Sequence, residues 1–284
     1  MTALRKASRE LLVEGEFAFT ADDFREIAEI LYADSGIHLA EAKATLVYSR
    51  LAKRLRRLGV PSFAAYRALL QGSDGEAERA NLLSALTTNV TRFFREPHHF
   101  DILKRQVRDT LVARARAGGR VRLWSAGCSL GHEPYSMAMT LLSELPEAGE
   151  LDVRILATDI DPVVVERARS GHYSREDMEP VPADLAARHV IRREDGVGVS
   201  DAVRNLISFG VLNLHATWPM KGSFDAIFCR NVAIYFDEET QQRLWGRFAE
   251  RLAPQAKLYI GHSERADIPA LTPDGLTVYC RSGT

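Results

Sequence analysis

The stretch Val121-Arg-Leu-Trp-Ser-Ala-Gly-Cys-Ser-Leu-Gly-His-Glu-Pro-Tyr-Ser-Met-Ala138 decides the fold class of this chain. A short apolar run, VRLWSA, leads into a turn bracketed by Gly127 and Gly131, and a helical pattern follows around Pro134. Glycine lets the backbone bend sharply after a strand and approach a ligand closely, ahead of a helix whose N-terminus faces that ligand. The stretch therefore predicts a strand, a tight turn and a helix, although the dinucleotide fingerprint GxGxxG is absent.

The same alternation continues towards the C-terminus. Short apolar runs such as VRILATDI, NLISFGVLN and FDAIFCRN alternate with helical runs such as PVVVERARS and EETQQRLWGRFAERL. This order is typical of an α/β fold with a parallel sheet and crossover helices. Within residues 172–204, the dipeptide Asp195-Gly196 separates Val190–Arg193 from a second candidate strand at about Val197–Val203, which predicts a hairpin.

The first part of the chain has a helical period instead. Helices are predicted for Asp22 to about Ser35, for Glu41 to Leu58, after Ser62, for about Glu76 to Thr87, and after Pro97. Thr20 and Asp23 resemble a capping box for the first of them. We therefore expect a helical N-terminal domain over residues 1–92 and an α/β domain over residues 93–284, with a β-subdomain inserted at about 172–204.

Net charge, the length of the apolar runs and the cysteine pattern limit the classes of protein to which this chain can belong. The chain has 37 basic and 38 acidic residues, so no whole-protein field attracts it to nucleic acid or to an anionic membrane. The apolar runs fall short of the roughly 18 residues that span a bilayer, and no signal segment is evident, so we expect a cytoplasmic protein. Cys128, Cys229 and Cys280 form no CxxC pair, and we expect reduced thiols.

Polar residues at predicted strand ends are the site candidates. Asp159 ends the second strand, where an acid can hydrogen-bond ribose hydroxyls; helix capping is the alternative, which Asp161 fits better. Glu133 lies at a helix N-terminus and either caps it or meets a ligand ammonium group. Arg230 and Asn231 follow a buried strand directly, although an Asn at this position is often only a turn former.

Several segments, in this order and spacing, resemble the CheR-type chemotaxis receptor glutamate methyltransferases: NVTRFFREPHHF, LWSAGCSLGHEPYSMA, ATDID with ERARSGHY, FDAIFCRNVAIYFD and GHSE. The resemblance implies an S-adenosylmethionine (SAM) methyltransferase with a doubly wound sheet, an all-α N-terminal domain and a small inserted β-subdomain. The cofactor residues that it implies are Asn89, Thr91, Arg95, Glu133, Asp159, Asn213, Leu214, Arg230 and Asn231. Arg95 and Tyr235 would lie nearest the methyl transfer, as catalytic residues.

The implied reaction is methyl transfer from SAM to a glutamate carboxylate of a chemoreceptor, which forms a methyl ester. Such a carboxylate is ionised at pH 7, so no general base is required. Leu130 and His132 replace a Thr and a Glu that the family usually has in its glycine turn, whereas Glu133 is retained. A nucleic-acid methyltransferase on the same fold is one alternative, opposed by the near-zero charge and the absence of an NPPY-type motif. A SAM-sensing, non-catalytic signalling module is the other.

The helix predicted for Glu41 to Leu58 carries a cluster of basic residues, Arg50, Lys53, Arg54, Arg56 and Arg57. We expect this cluster to dock the acidic helical cytoplasmic domain of a chemoreceptor; a solvated helix face is the alternative. We expect no nucleic-acid partner, no membrane insertion and a monomer. We expect no metal site, because the adjacent His98 and His99 should face different ways on a helix. In some members of the family the β-subdomain grips the receptor tail, but the compact turn at Asp195-Gly196 predicts no tight tail binding here.

Overall fold

The computed structural model describes residues 10–73, 75–194 and 196–282. The chain forms two compact units, one of residues 1–88 with 235–237 and one of residues 89–234 with 238–284. The division at Thr88 precedes the boundary expected after residue 92, because Asn89 bonds within the second unit, to Ser129. Within the described residues, no helix has both the length and the apolar character needed to cross a membrane.

Helices make up most of the N-terminal unit. They are α1 (Ala21–Ser35), α2 (Ala44–Leu58), α3 (Phe63–Gln71) and α4 (Gly75–Leu86). The predicted capping box is confirmed, since the Thr20 and Asp23 side chains accept each other's backbone N–H groups. One 3-10 turn, Glu41–Lys43, precedes α2, so the predicted helix begins three residues late. Phe19, Leu51 and Phe63 are fully buried in the core of the unit.

The N-terminal unit is not entirely helical. Two short strands, β1 (Leu11–Val13) and β2 (Phe19–Thr20), pair antiparallel ahead of α1. The expected helical N-terminal domain is confirmed by α1 to α4; the strand pair ahead of it was not predicted, because strands of two and three residues are too short to show a period.

The second unit is built on a seven-stranded sheet with the order β11-β12-β10-β9-β3-β4-β8. Its strands are β3 (Val121–Ala126), β4 (Val153–Asp159), β8 (Ile207–Val211), β9 (Phe224–Cys229), β10 (Leu252–Ile260), β11 (Leu271–Pro273) and β12 (Val278–Arg281). The five neighbouring strands β8, β4, β3, β9 and β10 are parallel to one another. Strand β12 pairs antiparallel with both β10 and β11. The predicted α/β fold with a mostly parallel sheet is confirmed.

The helices of this unit connect the strands. They are α5 (Pro97–Gln106), α6 (Val112–Arg116), α7 (His132–Glu144), α8 (Pro162–Ser170), α9 (Ala183–His189), α10 (Asp201–Arg204) and α11 (Glu238–Arg251). A π-helical turn, Val107–Leu111, joins α5 to α6. The crossover helices α7 and α8 return the chain to the same edge of the sheet, so the carboxyl ends of β3, β4 and β9 lie side by side.

The insert forms its own small sheet in the order β5-β7-β6. Its strands are β5 (His172–Tyr173), β6 (Val190–Arg193) and β7 (Gly196–Val199), and β6 pairs antiparallel with β7 as predicted. The second arm ends at Val199 and not at about Val203. Ser200 O accepts the N–H groups of Val203 and Arg204, which starts α10 instead. Asp195, in the predicted turn, lies outside the described residues.

Candidate active site

The glycine turn after β3 is bound to the end of β4. Gly127 and Cys128 donate their backbone N–H groups to Thr158 O at 2.8 and 2.9 Å. Gly127 has a φ of +89°, and a Cβ at this position would lie 2.3 Å from Val232 Cγ2, in the loop after β9. Only glycine combines this positive φ with the lack of a Cβ atom that would clash with Val232. The turn therefore brings the ends of β3, β4 and β9 to one edge.

Asp159 lies at this edge and is held by backbone groups. Its Oδ2 accepts the N–H of Ser129 at 2.8 Å, and its Oδ1 accepts the N–H of Asp161 at 3.1 Å. Burial raises the pKa of Asp159, and these hydrogen bonds oppose the shift. Helix capping is performed by Asp161, whose Oδ1 accepts the N–H of Val163 at 2.9 Å. Asp159 therefore keeps further lone pairs for a ligand hydroxyl.

Glu133 and Arg230 form a buried network at the same edge. Ser125 Oγ donates to Glu133 Oε1 at 2.7 Å, and Arg230 Nη1 donates to Glu133 Oε2 at 3.2 Å. Arg230 Nη2 donates to the backbone O of Arg95 and lies 3.2 Å from Glu96 Oε2. Burial raises the pKa of Glu133, and the Arg230 charge opposes that rise. The Arg230 side chain is only 2% exposed. Its guanidinium therefore contacts other site residues and has little contact with solvent.

Glu264 organises the loop after β9. Its Oε2 accepts the backbone N–H groups of Asn231 at 2.9 Å and of Gly261 at 2.6 Å. Its Oε1 accepts those of Val232 at 2.9 Å and of Ile234 at 3.3 Å. Asn231 has a φ of +59°, a conformation that Asn tolerates better than most residues. The buried Glu264 carboxylate therefore fixes the backbone that presents Asn231.

The segment that begins the second unit approaches this edge as well. Ser129 Oγ donates to Asn89 Oδ1 at 3.1 Å, so Ser129 joins Asn89 to Asp159. Thr91 is half-buried, and Arg95 Nη1 donates to Val90 O at 3.1 Å.

The segment after β8 lies next to β4, because Leu212 donates its N–H to Asp159 O at 2.9 Å. Asn213 Oδ1 accepts the N–H of His215 at 2.9 Å, and Leu214 is buried. Arg247 Nη1 donates to Leu214 O at 2.6 Å, and its guanidinium lies 3.9 Å from the ring centroid of Trp218. Arg247, which lies in α11, therefore holds the backbone of this segment in place.

Comparisons with known proteins match both units of the chain. Residues 22–87 match the all-alpha domain, and residues 89–271 the SAM binding domain, of the CheR methyltransferases. The chain belongs to the CheR methyltransferase family. It is 50% identical over 240 residues to a probable chemotaxis protein methyltransferase of Rhizobium etli, covering 83% of this chain and 90% of that protein. It is 42% identical over 267 residues to the chemotaxis protein methyltransferase of Escherichia coli, covering 91% and 90%.

This CheR-family chain is thus a SAM-dependent methyltransferase, and its donor groups suit that cofactor. A carboxylate with free lone pairs lies at the tip of the second parallel strand, where ribose hydroxyls bind in such folds. Glu133 adds a second carboxylate at the N-terminus of α7, suited to an ammonium group. The contacts link Asn89 to Asp159 through Ser129, link Glu133 to Arg230 directly, and hold Asn231 through Glu264. Sequence reasoning missed Ser125, Ser129 and Arg247, and it assigned no role to Glu96 or Glu264, although the motif GHSE was noted.

Tyr235 belongs to the N-terminal unit. Its backbone O accepts the N–H of His38 at 2.8 Å, and Lys43 Nζ lies 5.8 Å from its ring centroid. Its catalytic role stays a prediction.

The basic residues of α2 divide into two groups. Arg50 Nη1 donates to the carbonyl groups of Ala85, Leu86 and Thr87 at the end of α4. Arg54 forms an ion pair with Glu78, and its side chain is only 10% exposed. Both guanidinium groups therefore bind residues of α4 or its end, and the docking role expected for Arg50 and Arg54 stays a prediction. The remaining three, Lys53, Arg56 and Arg57, are exposed.

His132 lies in an aromatic cluster at the start of α7. Its ring centroid is 4.8 Å from that of Phe93 and 4.9 Å from that of Tyr173. Burial lowers the pKa of His132 to about 4. His132 is therefore a neutral packing residue at pH 7, as expected for a histidine at this position, and not a proton carrier.

The expected divergence of His98 and His99 is wrong. Their ring centroids lie 4.2 Å apart, and both rings lie close to Glu96.

Proposed function

We propose that this CheR-family enzyme methylates glutamate side-chain carboxylates of chemoreceptors and forms glutamyl methyl esters in chemotaxis adaptation. The observation that carries the proposal is the match of both domains to one family, with relatives named chemotaxis protein methyltransferases that are covered over about nine tenths of their length.

The geometry supports positioning as the source of catalysis. SAM, when bound, supplies a methyl group on a sulfonium that is already an activated leaving group. A receptor glutamate has a pKa near 4.3 and is ionised at pH 7, so no proton has to be removed. Orientation of two bound reactants is worth up to about 7–11 kcal/mol. Asp159 and Glu133 would hold the cofactor by its polar ends, and Arg95 would orient a carboxylate with the guanidinium N–H groups that do not bind Val90 O.

We propose that the exposed basic residues of α2, Lys53, Arg56 and Arg57, dock the acidic helical region of the receptor. Arg56 forms one surface ion pair, with Glu16 at 2.7 Å, and a pair of this kind is worth less than about 1 kcal/mol, so a partner can replace it. Long-range attraction of this type acts mainly on association and weakens with salt.

We further propose that the insert recognises no receptor tail with high affinity. Its β6 and β7 are four residues each, and only two residues, Glu194 and Asp195, separate them in sequence. This leaves no length for an extended loop that could wrap a peptide.

The test supplies labelled SAM with receptor-containing membranes and, separately, with tRNA or DNA. The proposal expects base-labile label on the receptor that is released as methanol, because methyl esters hydrolyse in base. Stable label on nucleic acid would support the nucleic-acid alternative. SAM binding without any transfer would support the signalling module.

A further inference from the structure

Three ligand atoms converge at the start of α5. One ligand atom from each of Glu96, His98 and His99 lies within 4.8 Å of those of the other two residues. Glu96 Oε2 and His99 Nδ1 are 3.5 Å apart. Two ligands of one tetrahedral zinc ion, with bonds of about 2.0–2.1 Å, lie about 3.3 Å apart. The spacing therefore suits a shared metal ion after small side-chain movements.

Glu96 Oε2, His98 Nε2 and His99 Nδ1 are buried and lack hydrogen-bond partners within the described part of the chain. His99 is fully buried, so solvent does not satisfy its Nδ1. An unsatisfied buried polar atom costs about 1–3 kcal/mol. Glu96 Oε2 has the Arg230 charge beside it, but the two histidine nitrogens have no hydrogen-bond partner among the described residues, which is unusual because buried polar groups are nearly always paired.

The surroundings orient His99 as metal-binding histidines are oriented. Its Nε2 lies 2.9 Å from Thr277 Oγ1 and 3.3 Å from Leu276 O. A carbonyl oxygen can only accept, so the proton lies on Nε2 and the lone pair lies on Nδ1. Metal-binding histidines almost always donate their other ring N–H in this way. His262 lies beside the cluster, with Nδ1 3.0 Å from Glu96 Oε1.

We propose that Glu96, His98 and His99 bind a divalent ion of the zinc class. Two imidazole nitrogens and one carboxylate oxygen suit Zn²⁺, Co²⁺ or Ni²⁺ better than Mg²⁺ or Ca²⁺, which prefer oxygen ligands. Arg230 Nη2 lies 3.2 Å from Glu96 Oε2, in an ion pair without an aligned hydrogen bond. Its charge opposes a second cation, so we expect micromolar affinity and not the tighter binding of structural zinc sites.

The experiment titrates the full-length protein, first treated with a chelator, with ZnCl₂ in a calorimeter. Variants His98→Ala and Glu96→Gln each remove one ligand, and His172→Ala, at an exposed histidine in β5, is the matched control. We expect one Zn²⁺ per chain in the unchanged protein and in the control, and at least about tenfold weaker binding in both ligand variants. Co²⁺ should give the intense visible bands of a tetrahedral site, without the thiolate charge-transfer band that binding to cysteine would produce.

Absence of binding at micromolar Zn²⁺ would overturn the proposal, and so would unchanged affinity in His98→Ala. Far-UV circular dichroism shows whether each variant is folded. If His98→Ala fails to fold, Glu96→Gln, which keeps the shape of the side chain, decides the question by the same criteria.

Discussion

Replacement of Glu264 by glutamine tests the organisation of the active-site loop. Each carboxylate oxygen accepts two backbone N–H groups, from Asn231 and Gly261 on one side and from Val232 and Ile234 on the other. A glutamine keeps one acceptor oxygen and turns an NH₂ group towards the other two donors. Two buried N–H groups then lose their partner, at about 1–3 kcal/mol each, so we expect a loss of about 2–6 kcal/mol in the free energy of unfolding.

Urea unfolding gives that loss directly, and calorimetry below the transition gives the affinity for SAM. Glu166→Gln is the matched control, because its side chain is 78% exposed and its ion pair with Arg169 is at the surface. We expect the control to change stability by less than about 0.5 kcal/mol. Glu264→Gln with unchanged stability and SAM affinity would refute the role of Glu264 as the organiser of the loop.

Other variants test individual residues. Asp159→Asn should weaken SAM binding by about 1.5–3 kcal/mol, because a charged acceptor is lost; calorimetric affinity equal to wild type in a folded variant would exclude Asp159 from the site. Arg95→Ala should abolish most turnover, measured as methanol-releasing label, whereas full activity would make Arg95 a surface residue. Reversing charge at Lys53 and Arg57 should raise the KM for the receptor and flatten its salt dependence, with SAM affinity unchanged; identical receptor kinetics would contradict docking at α2. His132 has a folded pKa of about 4 against about 6.5 unfolded, so it favours the unfolded state as pH falls from 6.5 towards 4. Between pH 7 and pH 5 the wild type should lose about 2 kcal/mol of stability through His132, and His132→Phe should not show this loss. Urea unfolding at the two pH values measures the difference.

Local signals explain which parts of the fold could be predicted. The capping box of α1 joins Thr20 to a residue three positions later, so both partners are visible in one short window of sequence. The alternating strands and helices of the second unit are equally local, because each apolar run is continuous. Contacts that join distant residues leave no such signal. Arg54 and Glu78 are 24 residues apart, and no local pattern predicts their ion pair.

The same contrast between local signals and long-range contacts applies to the residues of the candidate site. Asp159 and Glu133 could be proposed from their places at a strand end and a helix start. Glu264 could not, because three of the four N–H groups that it accepts lie 30–33 residues away in the chain, in a loop without a periodic pattern. Backbone donors carry no sequence signature, since nearly every residue has one.

The N-terminal unit is discontinuous in sequence, because it includes the short segment Tyr235–Asp237. Phe236 pairs with Ile37, and His38 donates to the backbone of Tyr235, although these partners are about 200 residues apart in sequence. A fragment that stops at Thr88 would therefore lack backbone partners that its own fold uses, and a fragment that starts at Asn89 would carry that segment unpaired. Evolutionary exchange of either domain by a single recombination event faces the same obstacle. A transplantable N-terminal domain would have to bring residues 235–237 with it, grafted through a linker or supplied as a separate peptide.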